Sequence, residues 1–358
     1  MSGGAPPLEP EEDVVESGAV DSMAWVSVIR CIEAASGDSD FGERMLDQPR
    51  SIKAMVAALQ SWRSLEIVAR AADVPVVRSA GSFDAVITGW GTSLGARRVM
   101  AAELEREFAL TPGKIATGAG IESVARVAEG EDEVALAARA CEAALATAHA
   151  GISDLDCVIA TSETHVGYPS LGARLHAQLL ADERTAVLDI GGACVGMVNA
   201  LATAQQFIAT GRYRTALIVT ADVHSHMLTP GRVRGEFGAL FGDGASAFVL
   251  RGAGEARSGH YCIGEVNLGC DASAATAIRI GLNERNGLDL VFEGEALSRA
   301  AVGKLEELIA DLELRTGFSR KSAAGFATHQ PNPRLIAVLA KQLGVPVKKF
   351  PPVARTFG

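Results

Sequence analysis

The stretch Thr185-Ala186-Val187-Leu188-Asp189-Ile190-Gly191-Gly192-Ala193-Cys194-Val195-Gly196-Met197 decides how this chain is read. An apolar strand pattern from Thr185 to Ile190 passes through small residues into a helical pattern running from Val195 to Thr210. A cysteine on such a turn lies at a helix N-terminus, where unpaired backbone N–H groups and the helix dipole favour thiolate over thiol. Gly191, Gly192 and Gly196 allow a tight turn and close approach of a substrate, which a merely packed cysteine does not require. Cys194 is therefore a candidate nucleophile. A free cysteine more often serves as a small buried hydrophobe, and Cys31, Cys141, Cys157, Cys262 and Cys270 are read that way. None forms a C-x-x-C pair or a Cys/His cluster with metal-ligand spacing, so no metal is expected.

Working outward, short apolar runs at Asp84–Gly89, Asp156–Thr161, Ala216–Ala221 and Ala245–Leu250 read as strands. They alternate with helical patterns at Val134–Ala150 and Leu171–Leu180. Strands apolar on both faces imply a sheet covered by helices on each side. A second series follows, with strands expected at Tyr261–Val266, Leu288–Phe292 and Gly325–His329 and helices at Glu295–Leu314 and Pro333–Leu343. The expected fold class is α/β: a duplicated layered fold over residues 83–252 and 253–358, its second half incomplete. Ahead of it, residues 1–60 read as a small all-α segment and 61–82 as a linker. Pro49 opens one helix there, with Ile52, Met55, Val56 and Leu59 on a single face.

The chain has 358 residues, 48% hydrophobic and 21% charged, with a formal net charge of −10. That charge argues against nucleic acid or an anionic membrane as partner, because both repel an acidic surface. The acidic N-terminus lacks the pattern of a signal or transit peptide, and no stretch approaches the roughly 20 apolar residues of a membrane span. Few, unpatterned cysteines fit a reducing cytoplasm.

A second candidate is His329, at the end of an apolar run in Gly325-Phe326-Ala327-Thr328-His329-Gln330-Pro331-Asn332-Pro333-Arg334. Taken in order, Leu188 to Met197, then Phe241-Gly242-Asp243-Gly244-Ala245-Ser246-Ala247, then Thr328-His329-Gln330-Pro331-Asn332, the sequence resembles the ketoacyl-acyl carrier protein synthase III branch of the thiolase superfamily. The resemblance runs from about Ser82 to the C-terminus. It implies a double βαβαβ core assembled as a homodimer, acting in fatty acid or polyketide biosynthesis. It also implies that Cys194 takes an acyl group from a thioester, while His329 acts as acid/base or hydrogen-bond donor for the second substrate. Asn332 and Arg334 match positions that contact pantetheine and support an acyl-carrier protein or coenzyme A, and Arg234 a position near the nucleotide end. Tyr168 matches an aromatic that reaches across the dimer interface, where simple packing is an equal alternative. Gly242, Asp243 and Gly244 read as a turn that shapes the fold.

Two departures accompany the resemblance. The family's third catalytic residue, an asparagine in a Gly-Asn motif, is expected directly after Gly358, followed by a closing helix and strands. A non-catalytic thiolase-fold partner subunit or inactive fragment that binds acyl carriers is therefore the alternative to an acyltransferase. The tryptophan and arginine that clamp the adenine of coenzyme A align with Lys114 and Gly118, which gives weight to a carrier-bound donor over a coenzyme A thioester. Finally, Val20-Asp21-Ser22-Met23 and the helical run with Val26, Ile29 and Ile32 resemble an acyl carrier protein from its Asp-Ser motif onward. That resemblance implies 4′-phosphopantetheine on Ser22; a plain helix N-cap is the other reading.

Overall fold

The structure, a computed structural model, describes residues 85–358 apart from Arg234, 271–274 and 283–287. The expectations for residues 1–60 and 61–82, Ser22 among them, and for Arg234 lie outside the described residues.

Ten strands are described: β1 (Ala85–Leu94), β2 (Arg97–Met100), β3 (Ser123–Arg126), β4 (Cys157–Thr161), β5 (Ala186–Asp189), β6 (Thr215–Asp222), β7 (Gly244–Gly252), β8 (Tyr261–Ile263), β9 (Ile278–Leu282) and β10 (Leu288–Phe292). Eight helices accompany them: α1 (Ala101–Glu107), α2 (Glu133–Thr147), α3 (Leu171–Gln178), α4 (Gly196–Ala209), α5 (His224–Met227), α6 (Gly294–Thr316), α7 (Pro333–Gln342) and α8 (Val353–Phe357). Six strands form one mixed sheet in the order β5-β4-β6-β7-β1-β8. Within it β5, β4 and β6 run parallel, and each of the pairs β6–β7, β7–β1 and β1–β8 is antiparallel.

Residues of successive parity explain the two covered faces. Val158 and Ala160 of β4 and Leu217 and Val219 of β6 pack under α2 and α3. Their neighbours Cys157, Ile159, Ala216 and Ile218 pack under Ala200, Ala204 and Ile208 of α4. Residues on both faces are fully buried, so each such Leu, Ile or Val contributes roughly 1.5–3 kcal/mol through removal from water. The small face of α2 sits so close to β1 that a Cβ on Gly89 or Gly91 would strike the carbonyls of Ala144 and Ala140.

The Phe-Gly-Asp-Gly turn is a structural knot. Asp243, 1% exposed, accepts hydrogen bonds from Val127 N–H (2.9 Å), Ser225 N–H (3.0 Å) and the Ser225 hydroxyl (2.5 Å). One carboxylate thus ties the segment after β3, helix α5 and the start of β7 together.

The second series differs from the expected sheet. Among the described residues its strands are β8, which joins the edge of the first sheet, and the separate pair β9–β10, and it has a small core shared by Ile309 of α6 and Ile336, Leu339 and Ala340 of α7. Gly325–His329, expected as a strand, has no strand partner among the described residues. Its described backbone bond is Phe326 N–H to Lys349 O (2.9 Å), and Phe326 instead stacks on Phe350 with ring centroids 5.1 Å apart. Of the run that reads as a strand, Phe326 packs against that core. Likewise, Tyr261–Val266 is strand only through Ile263, where its pairing with β1 ends.

Candidate active site

The parallel strands β5, β4 and β6 end together, and the carboxyl ends of parallel strands are where such sheets place their sites. Cys194 follows β5, Glu163 follows β4, and Asp222 closes β6. Cys194 sits in a 3-10 turn, Ala193–Val195, which leads directly into α4. The turn is tightly built. Gly192 has φ +137° and Ala193 φ +46°, the latter a left-handed conformation that costs a side-chain-bearing residue energy. Asn199 of α4 donates from Nδ2 to Gly191 O (3.1 Å), and Val195 N–H donates to Gly192 O (3.0 Å). A Cβ on Gly196 would collide with the Thr161 side chain, so the start of α4 rests directly on the end of β4.

That contact brings Cys194 beside Glu163, and it overturns the expectation of a stabilised thiolate. The thiol is pushed up to about 11, first by burial of its surroundings, then by the charge of the Glu163 carboxylate and its hydrogen bond with the thiol. Asp222 adds to the effect. A helix N-terminus is worth about 0.3–1 kcal/mol to an anion. Burial of the sulfur and the neighbouring carboxylate both oppose it, burial foremost, and together they outweigh it. Cys194 nonetheless keeps solvent access, whereas Cys141 and Cys157 are buried, with their thiols pushed up by burial.

Sequence reasoning missed Glu163, Asp222 and His224. Asp222 Oδ1 accepts from Glu163 N–H (2.7 Å) and from the Ser162 hydroxyl (3.1 Å), fixing the segment that carries Glu163. Burial and Asp222 raise the Glu163 carboxyl above its ordinary value, and the charge of His224 opposes them. His224 is 9% exposed, stacks on Phe241 at 4.6 Å, and leaves Nδ1 buried without a protein partner. The sequence shows polar residues at the ends of two apolar strands, but only the strand order β5-β4-β6 brings them to Cys194.

His329 lies in the extended segment before α7. It keeps solvent access, and burial around it holds its imidazole below 6.5, the ordinary value. The electrostatic partners of Cys194 are Glu163 and Asp222; His329 is not among them. Asn332 is the N-cap of α7, its Oδ1 accepting from Leu335 N–H (2.9 Å). Arg334 lines an open groove of about 450 Å³ with Thr111, Pro112, Gly113, Lys114, Thr117 and Gly118. Buried Glu105 braces the segment that lines it from behind, accepting from the N–H groups of Gly113 (2.9 Å), Ile115 (2.8 Å) and Ala116 (3.2 Å). These bonds, that from Gly113 foremost, hold its carboxyl below the ordinary range. Tyr168 is fully exposed, on a loop tethered where Ser170 donates to Asp189 Oδ2 (2.5 Å) and Gly172 N–H donates to Asp189 Oδ1 (2.9 Å). Among the described residues no His, Cys, Asp or Glu group is arranged to hold a metal ion, and no helix is long and apolar enough to cross a membrane.

Comparison with known proteins agrees with this architecture. The sequence profile described as 3-oxoacyl-[acyl-carrier-protein (ACP)] synthase III matches residues 188–272, which span the cysteine turn and the Phe-Gly-Asp-Gly turn. Beta-ketoacyl-[acyl-carrier-protein] synthase III of Rhodobacter capsulatus is 32% identical over 270 residues, 74% of this chain and 82% of that protein. The enzyme of the same name from Rubrobacter xylanophilus is 33% identical over 266 residues, 73% of this chain and 81% of that protein. Among solved structures, 3-oxoacyl-(acyl carrier protein) synthase III, FabH, from Pseudomonas aeruginosa superposes with a TM-score of 0.66 at 27% identity, covering 77% of this chain and 84% of that one. The priming β-ketosynthase of the R1128 polyketide pathway shares the fold at a TM-score of 0.67 and 23% identity. The mixed sheet between helices is thus a thiolase-like fold, and the chain belongs to the β-ketoacyl-[acyl-carrier-protein] synthase III family.

Proposed function

We propose that this chain is an acyltransferase of the synthase III type: an acyl group passes from a thioester to Sγ of Cys194 and then to a second substrate. The observation that carries the reading is Cys194 itself, solvent-accessible on the strained turn between β5 and α4 at the carboxyl end of the parallel strands. A soft sulfur nucleophile exchanges thioesters readily. His329, neutral near pH 7 because of its lowered pKa, is the hydrogen-bond donor for the second step. The groove between Lys114 and Arg334 suits the phosphorylated end of a pantetheine arm, because both side chains are cationic. The Asn332 amide, committed through Oδ1 to its cap, offers Nδ2 to that arm. The arm belongs to an acyl-carrier protein or to coenzyme A; with Lys114 and Gly118 where an adenine clamp would stand, the carrier is favoured.

The finer parts of the reading rest on the sequence. The exposed loop around Tyr168 is the proposed contact in a homodimer. Residues 83–252 and 253–358 are the two halves, Arg234 lies toward the nucleotide end, and Ser22 in an acyl-carrier-like segment bears 4′-phosphopantetheine. A cytoplasmic setting completes the proposal. Intact-mass spectrometry after incubation with a panel of short- and long-chain acyl thioesters tests it. The expected result is one acyl adduct on the wild type and none on Cys194→Ala. A chain that acquires no acyl group yet binds a holo-carrier is instead a non-catalytic partner.

A further inference from the structure

Glu163 stands beside the proposed nucleophile and has no part in the reading given so far. Its position is built rather than incidental. Ala160 of β4 is in register with Asp189 of β5 and with Val219 of β6, so the residues after all three strands meet at one edge. Asp222 Oδ1 grips the Glu163 N–H at 2.7 Å, while Thr164 is fastened on both sides, its hydroxyl accepting from Val223 N–H (2.9 Å) and donating to Glu133 Oε1 (3.3 Å). The lack of a Cβ at Gly196 lets α4 settle on Thr161, and because Cys194 and Glu163 each lie two residues from that contact, the thiol is set beside the carboxylate. The charged and titratable groups acting on Glu163 are Asp222, His224 and Cys194.

We propose that Glu163 is the proton acceptor for Cys194, so that this chain activates its thiol by a neighbouring carboxylate rather than by standing thiolate. The inference rests on acylation of Cys194 as proposed above. As Sγ attacks the thioester carbonyl carbon, the Sγ–H proton moves to the Glu163 carboxylate. The bond from that carbon to the donor sulfur then breaks, and the departing thiolate takes the proton back from Glu163. The products are the acyl-cysteine and a free thiol, with Glu163 again a carboxylate. A resting pair of neutral thiol and charged carboxylate has the proton already aimed at its acceptor. Raising the basicity of that acceptor, as burial and Asp222 do here, improves such a transfer at neutral pH.

Two opposed effects make Glu163→Gln decisive. Removing the negative charge lets the thiol ionise at lower pH, which on its own speeds any reaction of free thiolate. Removing the base slows acylation. The experiment measures both on the full chain: iodoacetamide alkylation of the Cys194 peptide across pH, and acylation by the thioester panel at pH 7, each followed by mass spectrometry. The expected outcome is that the alkylation profile of Glu163→Gln moves to lower pH while its acylation rate falls by about 10-fold or more. Acylation that rises along with alkylation, or stays unchanged, overturns the proposal. Glu163→Asp, which keeps the charge but withdraws it by one methylene, gives the second reading should the amide variant not fold. There the alkylation profile stays near the wild type, and acylation is expected to fall several-fold; acylation equal to wild type overturns the proposal. A wild type that no thioester acylates refutes the site reading itself, whereas an acylated wild type with a faster Glu163→Gln refutes only the role of Glu163.

Discussion

Asp243→Ala removes a carboxylate that serves three donors in a nearly water-free position. With Asp243 1% exposed, the N–H of Val127, itself buried, loses its partner and cannot readily recruit water. The N–H and hydroxyl of Ser225 lose theirs as well, although Ser225 is half-buried and regains part of the loss through solvent. An orphaned buried donor costs about 1–3 kcal/mol. Weighting Val127 fully and Ser225 partly gives a destabilisation of about 3–5 kcal/mol. That is a large share of the roughly 5–15 kcal/mol that holds a domain folded. Asp243→Asn keeps the volume and one acceptor oxygen but turns an NH₂ group toward a donor, so about half that loss is expected. Urea denaturation followed by circular dichroism measures both variants. A loss below about 1 kcal/mol for Asp243→Ala would show that the knot does not join these segments, and with it would fall the argument that the glycine-flanked aspartate is structural.

Three further outcomes follow from the same geometry. Gly196→Val places a side chain against Thr161, so the start of α4 must lift; stability should drop by about 1–3 kcal/mol and acylation of Cys194 should slow, and wild-type rates would contradict the seating of α4 on β4. Asn332→Ala removes the cap of α7 and should cost about 1 kcal/mol in urea denaturation; a rise in KM for a pantetheine thioester beyond that loss would mark a second role for its amide. In an NMR titration, the ring protons of His329 should respond below pH 6.5, because burial disfavours imidazolium. Just below pH 6.5 the unfolded chain then binds more protons at this residue than the folded chain, so its contribution to stability falls as the pH drops. A midpoint at or above 6.5 would remove that contribution.

The sequence carried the first sheet well because its strands are apolar on both faces. Cys157–Thr161 and Thr215–Asp222 admit few places other than the middle of a covered sheet, and that is where they lie. The β2–β3 hairpin was not legible, since Arg97-Arg98-Val99-Met100 shows neither alternation nor an apolar run, and its pairing partner lies beyond a helix and a π-helical turn. Gly325–His329 misled for the opposite reason: its large apolar residue, Phe326, serves a helical core. The site was half legible. Cys194 announced itself through its glycines, but the sign of its electrostatics depended on which strand lies beside β5. Only the order β5-β4-β6 sets Glu163 and Asp222 against the thiol. Helix-end chemistry is local and can be read along a chain. A carboxylate delivered by the neighbouring strand cannot.

The claim at the centre of this account is that Cys194 accepts the acyl group. It is tested most directly by digesting the full chain after incubation with acyl thioesters and locating the added mass by peptide sequencing. Cys262 and Cys270 are exposed too and provide an internal control within the same molecule. The account predicts the acyl group on the peptide containing Cys194 and absent from the peptides with Cys262 and Cys270. Acyl groups spread over the exposed cysteines, or missing from Cys194 while present elsewhere, would contradict it.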